Sequence, residues 1–194
     1  MVDLSKTVSL LLGGLTEPRA TWESFLAENP AWQRTAAVLT VPMILSAVIV
    51  GWLLSVLLGG FFFYGYGRGA ILGLIIGLIA AAVSIGVLSF LVGTLAGMFG
   101  GRADFDRAFA GVSLATIPGW VGLALSGIPF LGPLLHLAGS IIGLVFLYQI
   151  IPLAVTVPEN KRVLHFVLTI VAMFVVNLIL GAIFGLGAAG ARGL

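Results

Sequence analysis

Ser113 has the surroundings that come closest to those of a catalytic nucleophile in this chain. It lies within Gly111–Ala115, a run of small and aliphatic residues. A nucleophilic serine needs a base within hydrogen-bond reach and donors for the oxyanion. The histidines that follow, His136 and His165, are predicted near opposite ends of long apolar segments, neither at the depth of Ser113. We therefore interpret both as hydrogen-bonded interfacial residues rather than proton carriers, and we predict no catalytic residue.

Two carboxylates lie close together in the most densely charged stretch, where Arg102, Asp104, Asp106 and Arg107 occur within six positions. Paired carboxylates can bind a metal ion, but here each has an arginine nearby. We interpret the group as loop charge that neutralises itself. The chain has no cysteine, which excludes disulfides, thiolate nucleophiles and cysteine-ligated metal centres. No cofactor and no metal site is predicted.

A few polar side chains fall inside otherwise apolar stretches. Gln149 and Asn177 can hydrogen-bond between helices, a contact worth about 0.6–2 kcal/mol in a membrane. Structural bonding of this kind is favoured over substrate binding. If the chain carries a solute or lipid, the candidate path-lining residues are Thr116, Gln149 and Asn177.

The positions of the charged residues define the elements that hold these side chains. No Asp, Glu, Lys or Arg occurs in residues 35–67, 69–101, 108–158 or 163–191. A helix needs roughly 20 apolar residues to cross the hydrocarbon core, so three stretches hold one span each and the longest holds two. We predict an all-α polytopic membrane protein, a bundle of five transmembrane helices. Its spans cover about 35–58, 70–99, 108–126, 132–157 and 163–186, within a membrane domain of residues 35–187.

Composition excludes other classes of protein. With 60% hydrophobic and 8% charged residues, a soluble single-core globule is not expected. The net charge of +2 does not indicate nucleic-acid binding, because the nine basic residues form no run or stripe. The first span begins some 35 residues in and lacks a small-residue cleavage signature, which predicts a retained span rather than a signal peptide.

Residues 1–34 are predicted to form a short N-terminal segment of amphipathic, interfacial helices. Apolar residues recur at helical spacing on one face of the first helix. Pro18 separates this helix from a second one, which carries Trp22. We expect this segment to lie in the headgroup plane or against the bundle, with partner recognition as the alternative. The residues of the first face are Leu4, Val8, Leu11, Leu12 and Leu15.

Lysine and arginine counts predict the orientation. With five spans, the face that holds the N-terminus carries seven of these residues and the other face carries Arg68 and Arg192. Positive residues accumulate on the cytoplasmic side, so we place the N-terminus in the cytoplasm. Residues 188–194 then form a short external tail, and the predicted location is the inner (plasma) membrane. Aromatic residues 61–66 are predicted at the external interface.

Glycines recur four residues apart within the spans. Glycines at this spacing leave one face of a helix without side chains, so that two helix backbones can approach closely. In a membrane this close packing stabilises helix association, because lipid provides no hydrophobic driving force between helices. Packing inside the bundle is the favoured role, and a homo-oligomer contact or a lipid groove is the alternative. The pairs are Gly73 with Gly77, Gly93 with Gly97, Gly139 with Gly143, and Gly181 with Gly185.

Three segments resemble parts of a known family. Residues 107–118, RAFAGVSLATIP, are similar to the entry of the third span in the Yip family of Rab-interacting membrane proteins. Residues 125–132, LSGIPFLG, resemble the turn that prokaryotic members place between spans three and four. Residues 17–23, EPRATWE, resemble the segment that precedes the membrane. With five spans and a cytoplasmic N-terminus, the resemblance covers most of the chain, and it favours a prokaryotic-type member.

The resemblance implies membrane trafficking or membrane shaping without catalysis. The long acidic and aromatic cytosolic region of eukaryotic members is absent, so Rab binding is not expected, and Val112 stands where those members tend to have tyrosine. The candidate residues for partner contact, lipid contact or helix packing are Trp22, Arg102, Asp104, Asp106, Arg107, Gly111, Ser113, Pro118 and Pro129, with Gly73, Gly77, Gly93 and Gly97.

Two functions follow from these patterns. The first is a membrane-organising protein or adaptor, which packs, oligomerises and docks a cytoplasmic partner at residues 1–34 or 101–107. The second is a small transporter, channel or lipid translocator with a path between kinked spans three to five. The spans contain no deeply placed ionisable residue, which disfavours ion-coupled transport.

Overall fold

The computed structural model describes residues 4–58 and 70–190, and these residues form helices joined by short turns, with no strand among them. The all-α prediction is therefore confirmed. The helices, in chain order, are α1 Leu4–Thr16, α2 Pro18–Ala27, α3 Trp32–Thr35, a π-helical turn Ala36–Thr40, α4 Val41–Leu58, α5 Ala70–Met98, α6 Phe105–Ala115, α7 Ile117–Leu125, α8 Gly132–Ala154 and α9 Glu159–Gly190.

Three continuous stretches of helix are long and apolar enough to cross a membrane: Trp32–Leu58, Gly77–Met98 and Gly132–Ala154. The pair α6 and α7 makes a fourth if it counts as one span bent by 41°. The chain is thus a multi-pass membrane protein with three to four candidate spans among its described residues. The predicted fifth span, 163–186, falls within α9, and the count of five stays a prediction. The predicted external aromatic group at 61–66 and residues 191–194 of the predicted tail lie outside the described residues.

The first span begins with an irregular turn because of Pro42. Proline has no N–H, so Pro42 cannot donate to the carbonyl of Val38 four residues earlier. The backbone widens into the π-helical turn, in which Val41 donates to the carbonyl of Ala36. The buried hydroxyl of Thr7 on α1 donates to the Val38 carbonyl at 2.6 Å. A side chain from another helix therefore supplies the missing hydrogen bond.

The third predicted span is broken at Thr116. Pro118 cannot donate to the carbonyl of Leu114, so α6 ends at Ala115 and α7 starts in a new direction. Thr116 stabilises the break, since its hydroxyl donates to the Val112 carbonyl at 2.9 Å. The indole Nε1 of Trp120 donates to the same hydroxyl oxygen at 3.2 Å.

Helices α7 and α8 pack antiparallel across a short turn. An added Cβ at Gly139 would collide with the Pro118 carbonyl oxygen and lie 3.2 Å from the Gly122 Cα. An added Cβ at Gly122 would lie 2.8 Å from the Leu135 carbonyl oxygen. Glycine at both positions therefore lets the two backbones touch. Pro129 lies in the connecting turn, next to the exposed Phe130 with its positive φ of 62°.

Helix α5 packs against both α6 and α9. It ends in a Schellman motif, with Gly100 at φ 84° and the Gly101 N–H bonded to the Ala96 carbonyl at 2.8 Å. His165 of α9 is fully buried, and its Nε2 lies 3.0 Å from the Val92 carbonyl oxygen of α5. The sequence predicted an interfacial histidine, whereas the structure places it between two helices.

Candidate functional site

Helices α1 and α2 form a hairpin that packs along the ends of α6, α7 and α8. Glu28, just after α2, joins this hairpin to the start of the first span. Its carboxylate accepts from Lys6 Nζ of α1 at 2.7 Å and from Arg34 Nη2 at 2.8 Å. Lys6 also lies 5.6 Å from the ring centre of Phe25. One carboxylate thus holds three elements together.

Acidification is expected to loosen α1. The hydrogen bond from Lys6 is the largest of the effects that hold the pKa of the Glu28 carboxyl below its ordinary 4.5. Because the folded-state pKa is the lower one, the stabilisation is complete above about pH 4.5 and is lost as the pH falls through the folded value. A spin label at Ser9→Cys should become more mobile in that range.

Two variants provide the controls for this pH experiment. In Glu28→Gln the label should be mobile at every pH, since the carboxylate is gone. In Glu23→Gln, which removes the separate pair with Arg19 inside α2, the transition should remain. An unchanged transition in Glu28→Gln would show that another group controls α1.

Arg107 is the centre of the polar contacts at this end of the bundle. Its Nε donates to the Ala154 carbonyl and its Nη2 to the Leu153 carbonyl, both at 2.9 Å. Its Nη1 donates to the Leu26 carbonyl of α2 at 3.2 Å. The last carbonyls of α8 have no partner within their own helix, so the guanidinium caps α8 and fastens α2 to it.

The carboxylates of Asp104 and Asp106 also accept hydrogen bonds from backbone N–H groups. Asp104 is the N-cap of α6, and its carboxylate accepts from the Arg107 N–H at 3.1 Å. Asp106 accepts from the Trp32 N–H at 3.0 Å, which fixes the start of the first span. In the described part of the chain no ion pair joins these aspartates to Arg102 or Arg107. The predicted pairing of these charges with one another is therefore not seen: Asp104, Asp106 and Arg107 each bind backbone at a helix end, and the side chain of Arg102 is exposed.

Trp22 anchors α2 in the bundle. It is 1% exposed and makes an edge contact with Phe146 of α8, with ring centres 5.0 Å apart. Gly111 provides a second close contact of α8, since an added Cβ would lie 2.7 Å from the Ala154 Cβ. Both residues belong to the predicted contact and packing set.

Two of the predicted glycines face α6 and the loop before it. An added Cβ at Gly93 would lie 3.4 Å from the Ala108 Cβ, and one at Gly97 would lie 2.9 Å from the Ala103 Cβ. These glycines pack inside the chain. Gly77 is buried, while the surroundings of Gly73 lie outside the described residues. An oligomer contact through glycine faces stays a prediction.

A largely apolar cavity of about 260 Å³ lies between α5, α7 and α8. Two of its polar side chains bond locally: Thr116 as described, and Ser140 through its hydroxyl to the His136 carbonyl at 2.8 Å. Its lining residues include Leu88, Thr116, Trp120, His136, Ser140 and Leu147.

The predicted path-lining residues occupy different places. Thr116 lines the apolar cavity, and Gln149 lines a second cavity, between α2, α8 and α9. Ser113 lines neither of these cavities; its buried hydroxyl lies 2.8 Å from that of Thr40. The side chain of Asn177 lies outside the described residues. A path through these positions stays a prediction.

Comparison of the chain with known protein families gives one match. The Yip1 domain matches residues 12–184, from within α1 to within α9. The chain belongs to the Yip1 domain family. No curated protein and no solved structure is similar enough to be matched. The Yip1 domain and the apolar helices together establish an integral membrane protein, and membership of this family favours a role without catalysis.

Several residues of the site were missed by sequence reasoning. Thr7 donates to the Val38 carbonyl in the irregular turn of the Yip1 domain's first span, and Pro42 was the available signal because it leaves that carbonyl free. Thr40 belongs to the same turn, and its hydroxyl lies 2.8 Å from that of Ser113. Arg162 of α9 also contacts Tyr148 of α8, with its Cζ 5.9 Å from the ring centre, and this contact gave no local signal because the two residues lie on different helices.

Proposed function

We propose that this Yip family member organises or shapes the membrane, and that α1 acts as a wedge in one leaflet. The observation that carries the proposal is the outward face of α1. Leu4, Val8 and Leu12 recur every four residues and are 67%, 52% and 57% exposed. An apolar helix face of this kind inserts at the boundary between headgroups and acyl chains.

The opposite face of α1 is attached to the bundle, so the wedge has a fixed position. Thr7 and Leu10 are buried, and an added Cβ at Gly14 would lie 2.7 Å from the Ile117 Cδ1. A free amphipathic helix can rotate or dissociate, whereas this one moves with the spans. The effect of α1 on membrane shape, through displacement of lipid in a single leaflet, is therefore added to the effect of the bundle's own shape.

Reconstitution tests the proposal. Full-length protein in liposomes is expected to reduce vesicle diameter or produce tubules in cryo-electron microscopy, compared with protein-free vesicles. The triple variant Leu4→Ser, Val8→Ser, Leu12→Ser should lose this effect because it removes the apolar face. The matched triple Leu4→Met, Val8→Met, Leu12→Met keeps that face and should retain the effect. Equal vesicle shapes for the two triples would refute the wedge.

Partner docking at the cytoplasmic face is the second part of this proposal. The surface formed by α2 and residues 101–107 presents charged groups in a fixed arrangement, supported by the Arg107 contacts. Crosslinking in cells should lose a protein partner when residues 1–30 are deleted, provided that the bundle remains folded. If every partner were retained, the protein would act on lipid alone and not through partner docking at residues 1–30.

The alternative, lipid or solute passage, is tested in the same vesicles by flux of fluorescent lipid and small solutes. The local bonding of Thr116, Ser140 and Ser113 disfavours it, because their hydroxyls serve the bundle rather than a solute. Flux that falls when Ser113 is replaced by a bulky residue would establish passage and overturn the scaffold proposal.

We further propose an inner-membrane location with a cytoplasmic N-terminus, as in a prokaryotic-type member. The chain has no cysteine, so single introduced cysteines give a clean test. Arg102→Cys should react with a membrane-impermeant maleimide only after the cytoplasmic side is opened. Phe130→Cys, 94% exposed in the turn after α7, should react in intact spheroplasts. The reverse labelling pattern would show that the protein has the opposite orientation in the membrane.

A further inference from the structure

The cavity between α2, the end of α8 and the start of α9 combines hydrogen-bond donors from three helices. Its volume is about 370 Å³, within the roughly 300–1,000 Å³ of small-molecule sites. Arg19 and Trp22 come from α2, Tyr148 and Gln149 from α8, and Arg162 from α9. Two guanidinium groups line it, and none of its lining residues is a carboxylate.

Two of these donors are buried without an acceptor. The indole Nε1 of Trp22 and the Nε of Arg162 have no hydrogen-bond partner in the described part of the chain. A buried donor that stays unpaired costs free energy, and the cost is higher for a charged group. Unpaired donors on two sides of one cavity indicate a ligand that accepts hydrogen bonds and carries negative charge.

The guanidinium of Arg162 is held in position. Its Cζ lies 5.9 Å from the centre of the Tyr148 ring, a cation–π distance. The second guanidinium, that of Arg19, is largely exposed, and its Nε donates to the Glu23 carboxylate at 3.0 Å. Arginine is suited to phosphate because its planar fork donates two parallel hydrogen bonds to phosphate oxygens.

We propose that this cavity binds a phosphate group, either in the headgroup of an anionic phospholipid or in a free phosphate-bearing solute. A phosphate offers several acceptor oxygens, enough for Trp22 Nε1 and both guanidinium groups at once. The inference goes beyond the membrane-shaping role, since it uses neither the outward face of α1 nor a protein partner.

Lipid titration of the full-length protein in neutral detergent tests the proposal. Phosphatidylglycerol should raise the thermal unfolding temperature, whereas phosphatidylcholine at the same concentrations should not. Arg162→Gln should weaken the apparent affinity for phosphatidylglycerol about tenfold or more, the loss expected for a charged hydrogen bond. Lys161→Gln makes the same charge change one residue away and outside the cavity lining, and should bind within about twofold of wild type.

Trp22→Phe keeps an aromatic ring at this position and removes the Nε1 donor. The smaller ring leaves a void in the packing, so the lipid-free protein should unfold at a lower temperature than wild type. Its apparent affinity for phosphatidylglycerol, taken from the rise above its own lipid-free temperature, should be several-fold weaker. Equal stabilisation by both lipids would overturn the proposal, as would equal affinities for Arg162→Gln and Lys161→Gln. Titration with glycerol 3-phosphate distinguishes the sources: a response to it assigns a free phosphate, and a response to phosphatidylglycerol alone assigns the lipid.

Discussion

Replacing Arg107 with glutamine is expected to lower the free energy of unfolding by about 3 kcal/mol, as typical values for hydrogen bonds to charged groups indicate. The guanidinium donates to the carbonyls of Leu153 and Ala154 at the end of α8 and to that of Leu26 at the end of α2. Glutamine is shorter and cannot reach all three carbonyls. Unfolding in mixed detergent micelles measures the change.

Two further variants, Arg102→Gln and Arg107→Lys, provide the comparisons for Arg107→Gln. Arg102→Gln removes the same charge from an exposed side chain, and its backbone N–H keeps its bond to the Val155 carbonyl. It should therefore change stability little. Arg107→Lys retains the charge but not the planar fork, so it should recover less than half of the loss. If Arg107→Gln and Arg102→Gln are equally stable, the capping contacts do not stabilise the bundle.

The Gly139→Ala variant is expected to destabilise the bundle by about 3 kcal/mol, at the upper end of typical overpacking costs. Its new methyl group would meet the Pro118 carbonyl oxygen and lie 3.1 Å from the carbonyl carbon. These are backbone atoms and cannot rotate away, so α7 and α8 must separate. In a membrane the loss of close packing is not offset by hydrophobic burial.

Gly86 and Gly119 are matched controls for Gly139, because an added Cβ at either position has no neighbour within 4 Å. Gly86→Ala and Gly119→Ala should be neutral or stabilising by up to about 1 kcal/mol through helix propensity. Thermal unfolding of the three variants in one detergent gives the comparison. A Gly139→Ala protein as stable as Gly119→Ala would mean that α7 and α8 are not in backbone contact.

The helical fold could be predicted from the spacing of the charges, because the thickness of the bilayer fixes the length of an apolar helix. The predicted second span, 70–99, and α5, Ala70–Met98, differ by one residue at the end. The irregular parts could not be predicted as well. A kink in span three was predicted, but whether a proline such as Pro118 bends or breaks its helix depends on the partners of the freed carbonyl.

The candidate site could be predicted less completely. The densest charges were identified, but their roles depend on helix ends that lie far away in sequence, such as the bond from Arg107 to Ala154. Ser113 was singled out for its neighbours along the chain, whereas its contact, Thr40, comes from another helix. Local patterns indicate which side chains are unusual, and only the tertiary packing shows which carbonyl or hydroxyl each one meets.

The hydrogen bond from Thr7 to Val38 has a consequence for the order of synthesis. A carbonyl left unpaired in hydrocarbon costs several kcal/mol, so the first span is not fully stable until α1 is in place. The ribosome makes α1 before that span, and the donor is therefore present when the span enters the membrane. Replacement of the N-terminus by a fusion tag would remove this donor, and with it the order in which the first two elements assemble.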